Sequence, residues 1–194
     1  MEIIPLIHIK KHRILSSLPL EELREIQFGG EKTYILDDDG ILKDKPNVSA
    51  YQQMSRYHEI WVDAGPRNPG DLVDIIIAGG NITTIRIDRW PNFNIEEIRE
   101  LTDTPIYMMI DPNERDRYGI KKLISLVDGL VVFTTFEGIR QNFVLEGILR
   151  ELSKENKVYA YEYKPEYIRS WESIGIEGLL VNIDHLKEFK RYGI

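Results

Sequence analysis

The 194-residue sequence contains no cysteine. That excludes disulfides, a thiolate nucleophile and zinc–thiolate sites at once. Long apolar runs are missing too, and no uninterrupted stretch approaches the roughly 20 residues of a membrane-spanning helix. Met1 leads into an apolar segment that is broken by charge at Lys10, unlike a secretion signal. Positive charge is in deficit, with a net charge of −7 and a pI near 5.2. Nucleic-acid and anionic-membrane surfaces need clustered positive potential, so neither partner is expected. The one tight basic run, Lys10 to Arg13, reads as a solvated exit from a strand. A Walker loop, a G-x-G-x-x-G turn, a G-x-S-x-G elbow and an H-E-x-x-H helix are all absent. The expectation is a cytoplasmic protein of one domain, residues 1–194.

What is present is an alternation of short β-rich runs with segments of helical period. Strands are expected at 3–9, 34–41, 59–67, 82–88, 105–111, 130–138, 157–164 and 177–183. Helical faces are expected from GDLVDIIIAGG, then Ile95, Ile98 and Leu101, then Ile120, Leu123, Ile124 and Val127. Three more follow: Val144, Ile148, Leu149 and Leu152; Ile168, Trp171 and Ile174; and Leu186 with Phe189. Gly29–Gly30 and Gly79–Gly80 are placed near helix ends. Eight strand–helix units imply a compact (βα)8 barrel, slightly short against the roughly 250 residues usual for that fold. The halves echo each other. Asp39-Gly40-Ile41 recurs as Glu137-Gly138-Ile139, and Pro69, Leu72, Ile75 and Gly79 recur as Pro165, Ile168, Trp171 and Gly175. Two fused half-barrels would leave that pattern.

IIPLIHI, LDDDG, and VDAGPR followed by IAGGNITTIRI resemble the first four strands of the histidine-biosynthesis barrels, the ProFAR isomerase and its sister cyclase. The resemblance is to motifs over residues 1–90 and to topology beyond them. It is nearest to an uncharacterised branch related to the isomerase, some members of which are associated with methanopterin-type cofactor pathways. It implies a catalytic group at the end of the first strand, where this chain has His8 in place of the family's aspartate. It also implies Asp111 at the end of the fifth strand and Thr134 on the sixth as catalytic residues. The family's glycine-rich phosphate turns read here as AGPR, EYKP and VNID, in which only Gly65 survives.

Strand residues alternate between faces, so polar residues on the inner parity of a barrel face its mouth. On that basis His8 with Lys10, Asp37 with Asp39, Asp63, Thr84 with Arg86 and Asp88, Asp111, Thr135 with Glu137, Glu162 with Lys164, and Asn182 are expected there. The substrate-binding set is then Asp37, Asp39, Asp63, Gly65, Arg67, Arg86, Glu137 and Lys164. The seven carboxylates of the whole mouth outnumber Lys10, Arg86, Lys164 and His8, which suits acid–base work at raised pKa values. No cofactor is expected. The alternative is Mg²⁺ held by Asp37, Asp63, Asp88 and Glu162, since that ion prefers oxygen ligands. The leading expectation is an isomerase or lyase acting on an anionic or phosphorylated biosynthetic intermediate. The competing one is a non-catalytic barrel that binds a partner, marked by exposed apolar surface around Trp90, Phe93 or Phe136. A homo-oligomer is left open.

Overall fold

A computed structural model describes residues 1–27, 32–111 and 123–192. Eight parallel strands close into a barrel: β1 (Glu2–Lys10), β3 (Thr33–Asp37), β4 (Ile60–Asp63), β5 (Gly80–Arg86), β6 (Ile106–Met109), β7 (Gly129–Val132), β8 (Val158–Tyr161) and β9 (Gly178–Asn182). β9 pairs back onto β1 from Glu2 to Leu6 and closes the ring. The structure is therefore a (βα)8 barrel, and all eight expected strands are present.

One element was not expected. A short β2 (Arg13–Leu15) folds back antiparallel on β1, with His8 opposite Leu15 and Lys10 opposite Arg13. It covers the upper half of β1, beyond the reach of β9. The basic run is thus a hairpin, not a loose exit. Lys11 and His12 take its two turn positions with φ of 50° and 59°, the left-handed pair that a two-residue hairpin turn of the primed type demands.

Helices α1 (Leu20–Gln27), α2 (Asp38–Lys43), α3 (Val48–Met54), α4 (Pro69–Ile77) and α5 (Ile95–Leu101) precede α6 (Phe136–Arg140), α7 (Phe143–Glu155), α8 (Ile168–Ile174) and α9 (Leu186–Arg191) among the described residues. Gly29, Gly30 and Ile120 lie outside the described residues. Most helical faces pack as their period implies. The exception is α7, which buries Leu145, Leu149 and Leu152 and leaves Val144 72% exposed. The helix starts at Phe143, after Asn142, whose Oδ1 accepts from Leu145 N at 3.2 Å. Leu101 is likewise turned outward, with Ile95 and Ile98 carrying the contact.

The half-barrel echo falls on equivalent places. Asp39 and Glu137 stand in the short helices after the second and sixth barrel strands. Pro69 and Pro165 open the helical segments after the third and seventh, and Gly79 and Gly175 follow those segments with φ of 107° and 94°.

The barrel is filled by rings. Tyr34, Trp61, Tyr107, Val131, Tyr159 and Leu180 form its inner cluster, with Trp61 4.4 Å from Tyr107 and 5.0 Å from Tyr159. Such aromatic contacts pack best edge-on or tilted, as these do. Gly129 makes room for them: a Cβ there would meet Tyr107 Cε1 at 2.4 Å and the Lys157 carbonyl at 2.6 Å. A second, larger apolar layer lies between the strands and the helices.

Candidate active site at the barrel mouth

Inner parity is settled by the rings. Above Tyr34 come Leu36 and then Asp38, so Asp38 faces the mouth and Asp37 and Asp39 do not. This corrects the expected parity of the second barrel strand. Asp37 points outward and is fully buried. Its carboxylate caps α2 through Asp39 N (3.0 Å) and Gly40 N (3.2 Å), and accepts from Asn47 N and Asn47 Nδ2 at 2.7 Å each and from the Tyr51 hydroxyl. Asp39 is held by Lys43 Nζ at 2.8 Å and by the backbone N–H of His12 at 3.3 Å. The Lys43 contact is the main cause of its pKa lying well below the usual range. Both aspartates are pinned to the outer frame.

One residue per strand forms the floor of the mouth. Leu36, Met109, Phe133 and Tyr161 are half-buried and apolar or aromatic; His8, Arg86 and Asn182 are half-buried and polar; Asp63 is fully buried. Asp63 accepts from Arg86 Nε at 2.8 Å and NH2 at 2.6 Å, and from the Tyr34 hydroxyl at 2.7 Å. Arg86 also lies 5.6 Å from the centre of the Phe133 ring. Burial first, and then the Asp63 charge, push the Tyr34 phenol well above its ordinary pKa, so it stays a donor.

On the rim beside β1, Asp38 bridges His8 and Lys10. Its Oδ1 lies 2.9 Å from His8 Nε2, off the axis of an aligned hydrogen bond, and its Oδ2 lies 3.1 Å from Lys10 Nζ. Partial burial would raise the Asp38 pKa, but the His8 and Lys10 contacts outweigh it and the result lies below the ordinary value. His8 keeps 26% of its side chain exposed. That exposure belongs to the rest of the ring, since Nε2 itself is buried against Asp38. Asp38 was missed by the parity reading. The signal that would have found it is the aromatic parity of Tyr34, Trp61, Tyr107 and Tyr159.

The other named residues are scattered. Arg67 leaves the mouth to bond Asp44 Oδ1 at 2.5 Å and the carbonyls of Gly40 and Ile41. Gly65, at φ 62°, packs where a Cβ would stand 3.1 Å from Ile41 Cα. Glu137 and Lys164 pair with each other at 2.7 Å, and the Tyr163 and Tyr167 hydroxyls donate to the same carboxylate at 3.2 Å. That Lys164 contact lowers the Glu137 pKa and raises the Lys164 one. Asp111 is exposed just beyond β6, and Thr134 is half-buried on the parity opposite to Phe133. Asp88 faces Arg89 at 3.2 Å. Glu162 is fully buried on the outer parity of β8. The surplus of carboxylates thus dissolves into caps and pairs. Among the described residues no three metal-ligating side chains converge, so the four oxygens of the Mg²⁺ alternative lie at separate places. No described helix is long and apolar enough to cross a membrane.

An eight-stranded parallel barrel with its polar groups at the carboxyl ends of the strands defines the (βα)8 class, and solved structures agree. A mutant tryptophan synthase α-subunit from the hyperthermophile Pyrococcus furiosus superposes with a TM-score of 0.62 at 16% identity, covering 99% of this chain and 91% of that one. A dihydrodipicolinate synthase gives 0.61 at 12% identity, covering 97% and 72%. Identity this low shows the fold alone. No family profile and no curated protein sequence matches the chain, so the resemblance to the ProFAR isomerase is supported only as far as the barrel fold.

Proposed function

We propose that the chain is a small barrel enzyme that moves a proton on an anionic small molecule held in the mouth, as an isomerase or a lyase does. The observation that carries this reading is the cluster of His8, Lys10 and Asp38 at the carboxyl end of β1. An imidazole accepts and donates protons near neutral pH, and the Asp38 carboxylate lies 2.9 Å from this one. Asp38 stays ionised beside it. Asp111 supplies the second group: β6 stands four strands from β1 in the ring of eight, directly across the mouth, so a substrate would lie between acid and base. Thr134 is the lesser member of the set, a hydroxyl close to α6. Acid–base chemistry of this kind calls on no cofactor. The resemblance to a barrel isomerase supports the same pairing of first and fifth barrel strands.

The partner-binding alternative turns on exposed apolar surface around Trp90, Phe93 or Phe136. Trp90 and Phe93 are only 8% and 7% exposed, and Phe136 stacks on Tyr167 at 5.2 Å. The test is incubation in deuterium oxide with a panel of small carboxylic and phosphorylated acids, read by mass spectrometry. Wild-type protein should wash deuterium into at least one acid, and His8→Ala and Asp111→Asn should each abolish it with little change in melting temperature. Exchange that survives in His8→Ala would refute the assignment.

A further inference from the structure

The anion that this mouth fits can be narrowed, on the reading of the mouth as the site of proton transfer. Barrel enzymes commonly cradle phosphate with backbone N–H groups in the turns after the last two strands. Here those donors are already taken. Glu162 Oε1 accepts from Tyr163 N at 2.8 Å and Lys164 N at 3.0 Å, and its Oε2 accepts from Phe136 N at 2.9 Å and Trp171 Nε1 at 3.0 Å. The chain has put its own carboxylate where an anion would bind those groups. Asp184 N donates to Asn182 Oδ1 at 3.0 Å, and Arg67 N, in the turn after β4, donates to Asp71 Oδ2 at 2.8 Å.

The floor offers a different site. A guanidinium has two forked edges. Asp63 occupies the Nε–NH2 edge of Arg86, and NH1 has no partner among the described residues. Beside it lie half-buried ring surfaces, with Phe133 and Tyr161 stacked at 6.1 Å and 25°. A free planar fork next to flat apolar surface matches a planar acid better than a tetrahedral one.

We propose that the mouth recognises a flat, unphosphorylated carboxylate whose ring or conjugated body lies on Phe133 and Tyr161 and whose carboxylate docks on the NH1–NH2 edge of Arg86. Such a ligand would sit on the same floor ring as His8. Benzoate and inorganic phosphate are the probes, titrated into labelled protein and followed by NMR at the arginine side chain and the aromatic rings. Benzoate should bind saturably at roughly millimolar level, as a ligand of so few atoms does, with nuclear Overhauser contacts to Phe133 and Tyr161. Arg86→Lys keeps a charge for Asp63 but loses the fork, and should weaken binding about tenfold or more. If that variant is poorly folded, Phe133→Leu should weaken binding severalfold instead. Phosphate should cause no saturable change at these groups. Absence of benzoate binding, equal binding by wild type and the folded variant, or tighter phosphate binding on the same resonances overturns the proposal. The deuterium exchange by His8 is scored separately, so failure of the ligand class leaves the proton-transfer reading standing, and the reverse.

Discussion

Asp63 and Arg86 tie neighbouring strands β4 and β5 together beneath the mouth, with both carboxylate oxygens engaged at 2.8 and 2.6 Å. Asp63 is completely buried, so the pair is stable only while both partners remain. Asp63→Ala should cost about 3–5 kcal/mol in urea unfolding, because it strands a buried guanidinium. Replacing both, as Asp63→Leu with Arg86→Met, should recover most of that loss. A single-variant cost under about 1 kcal/mol would show that the pair is solvated.

Glu162 should behave as an internal ligand. Glu162→Ala leaves four N–H donors facing a cavity, and each unsatisfied group costs about 1–3 kcal/mol. The variant should melt far below wild type. Added formate, small enough to replace the lost carboxylate, should raise the melting temperature of the variant and not of the wild type. Equal response of the two proteins would contradict the assignment.

Acid sensitivity follows from Asp38 and Asp184. Asp38 is held down by His8 and Lys10 against its partial burial, and Asp184 by Ser16 and Ser17 against the same effect. Depressed folded-state values mean that each group takes up a proton more readily when unfolded. Their stabilisation is complete above the ordinary aspartate value of 3.8 and is lost as pH falls through the lower folded values. Thermal melts across that range should show Asp38→Asn losing less stability on acidification than wild type. Parallel curves would remove Asp38 from the account.

The hairpin turn carries strain that can be relieved. Lys11 and His12 both have positive φ, which costs ordinary side chains roughly 1–2 kcal/mol per residue. Lys11→Asn with His12→Gly should raise stability by about 1 kcal/mol. The backbone N–H of His12 would still donate to Asp39. A loss of stability would argue against the left-handed turn.

The strand order was legible because eight apolar runs alternate with helical faces, and barrel strands leave little room for another arrangement. The inner parity of β3 was not. Ile35 and Leu36 are both apolar, as in any strand buried on two faces, so hydrophobicity alone cannot say whether Asp37 or Asp38 faces inward. The rings can: Tyr34, Trp61, Tyr107 and Tyr159 all lie within. Pairing was illegible for a different reason. Lys43 and Asp44 lie in the helix and turn after β3, and a strand-by-strand reading has no way to show that they engage Asp39 and Arg67. His8 was found because it shares the inner parity of β1 with Lys10 and stands where the resembling barrels have an aspartate.

The most direct measurement is carbethoxylation of the histidines, read residue by residue by mass spectrometry, with and without benzoate. The protein has 4 histidines, and His58, only 5% exposed, is the slow internal standard. The account predicts that His8 of the ligand-free protein reacts faster than His58, that benzoate slows it severalfold, and that His12 is unaffected. An inert His8, or a His8 labelled at the same rate when benzoate is bound, would contradict the claim that the mouth brings an acid to His8.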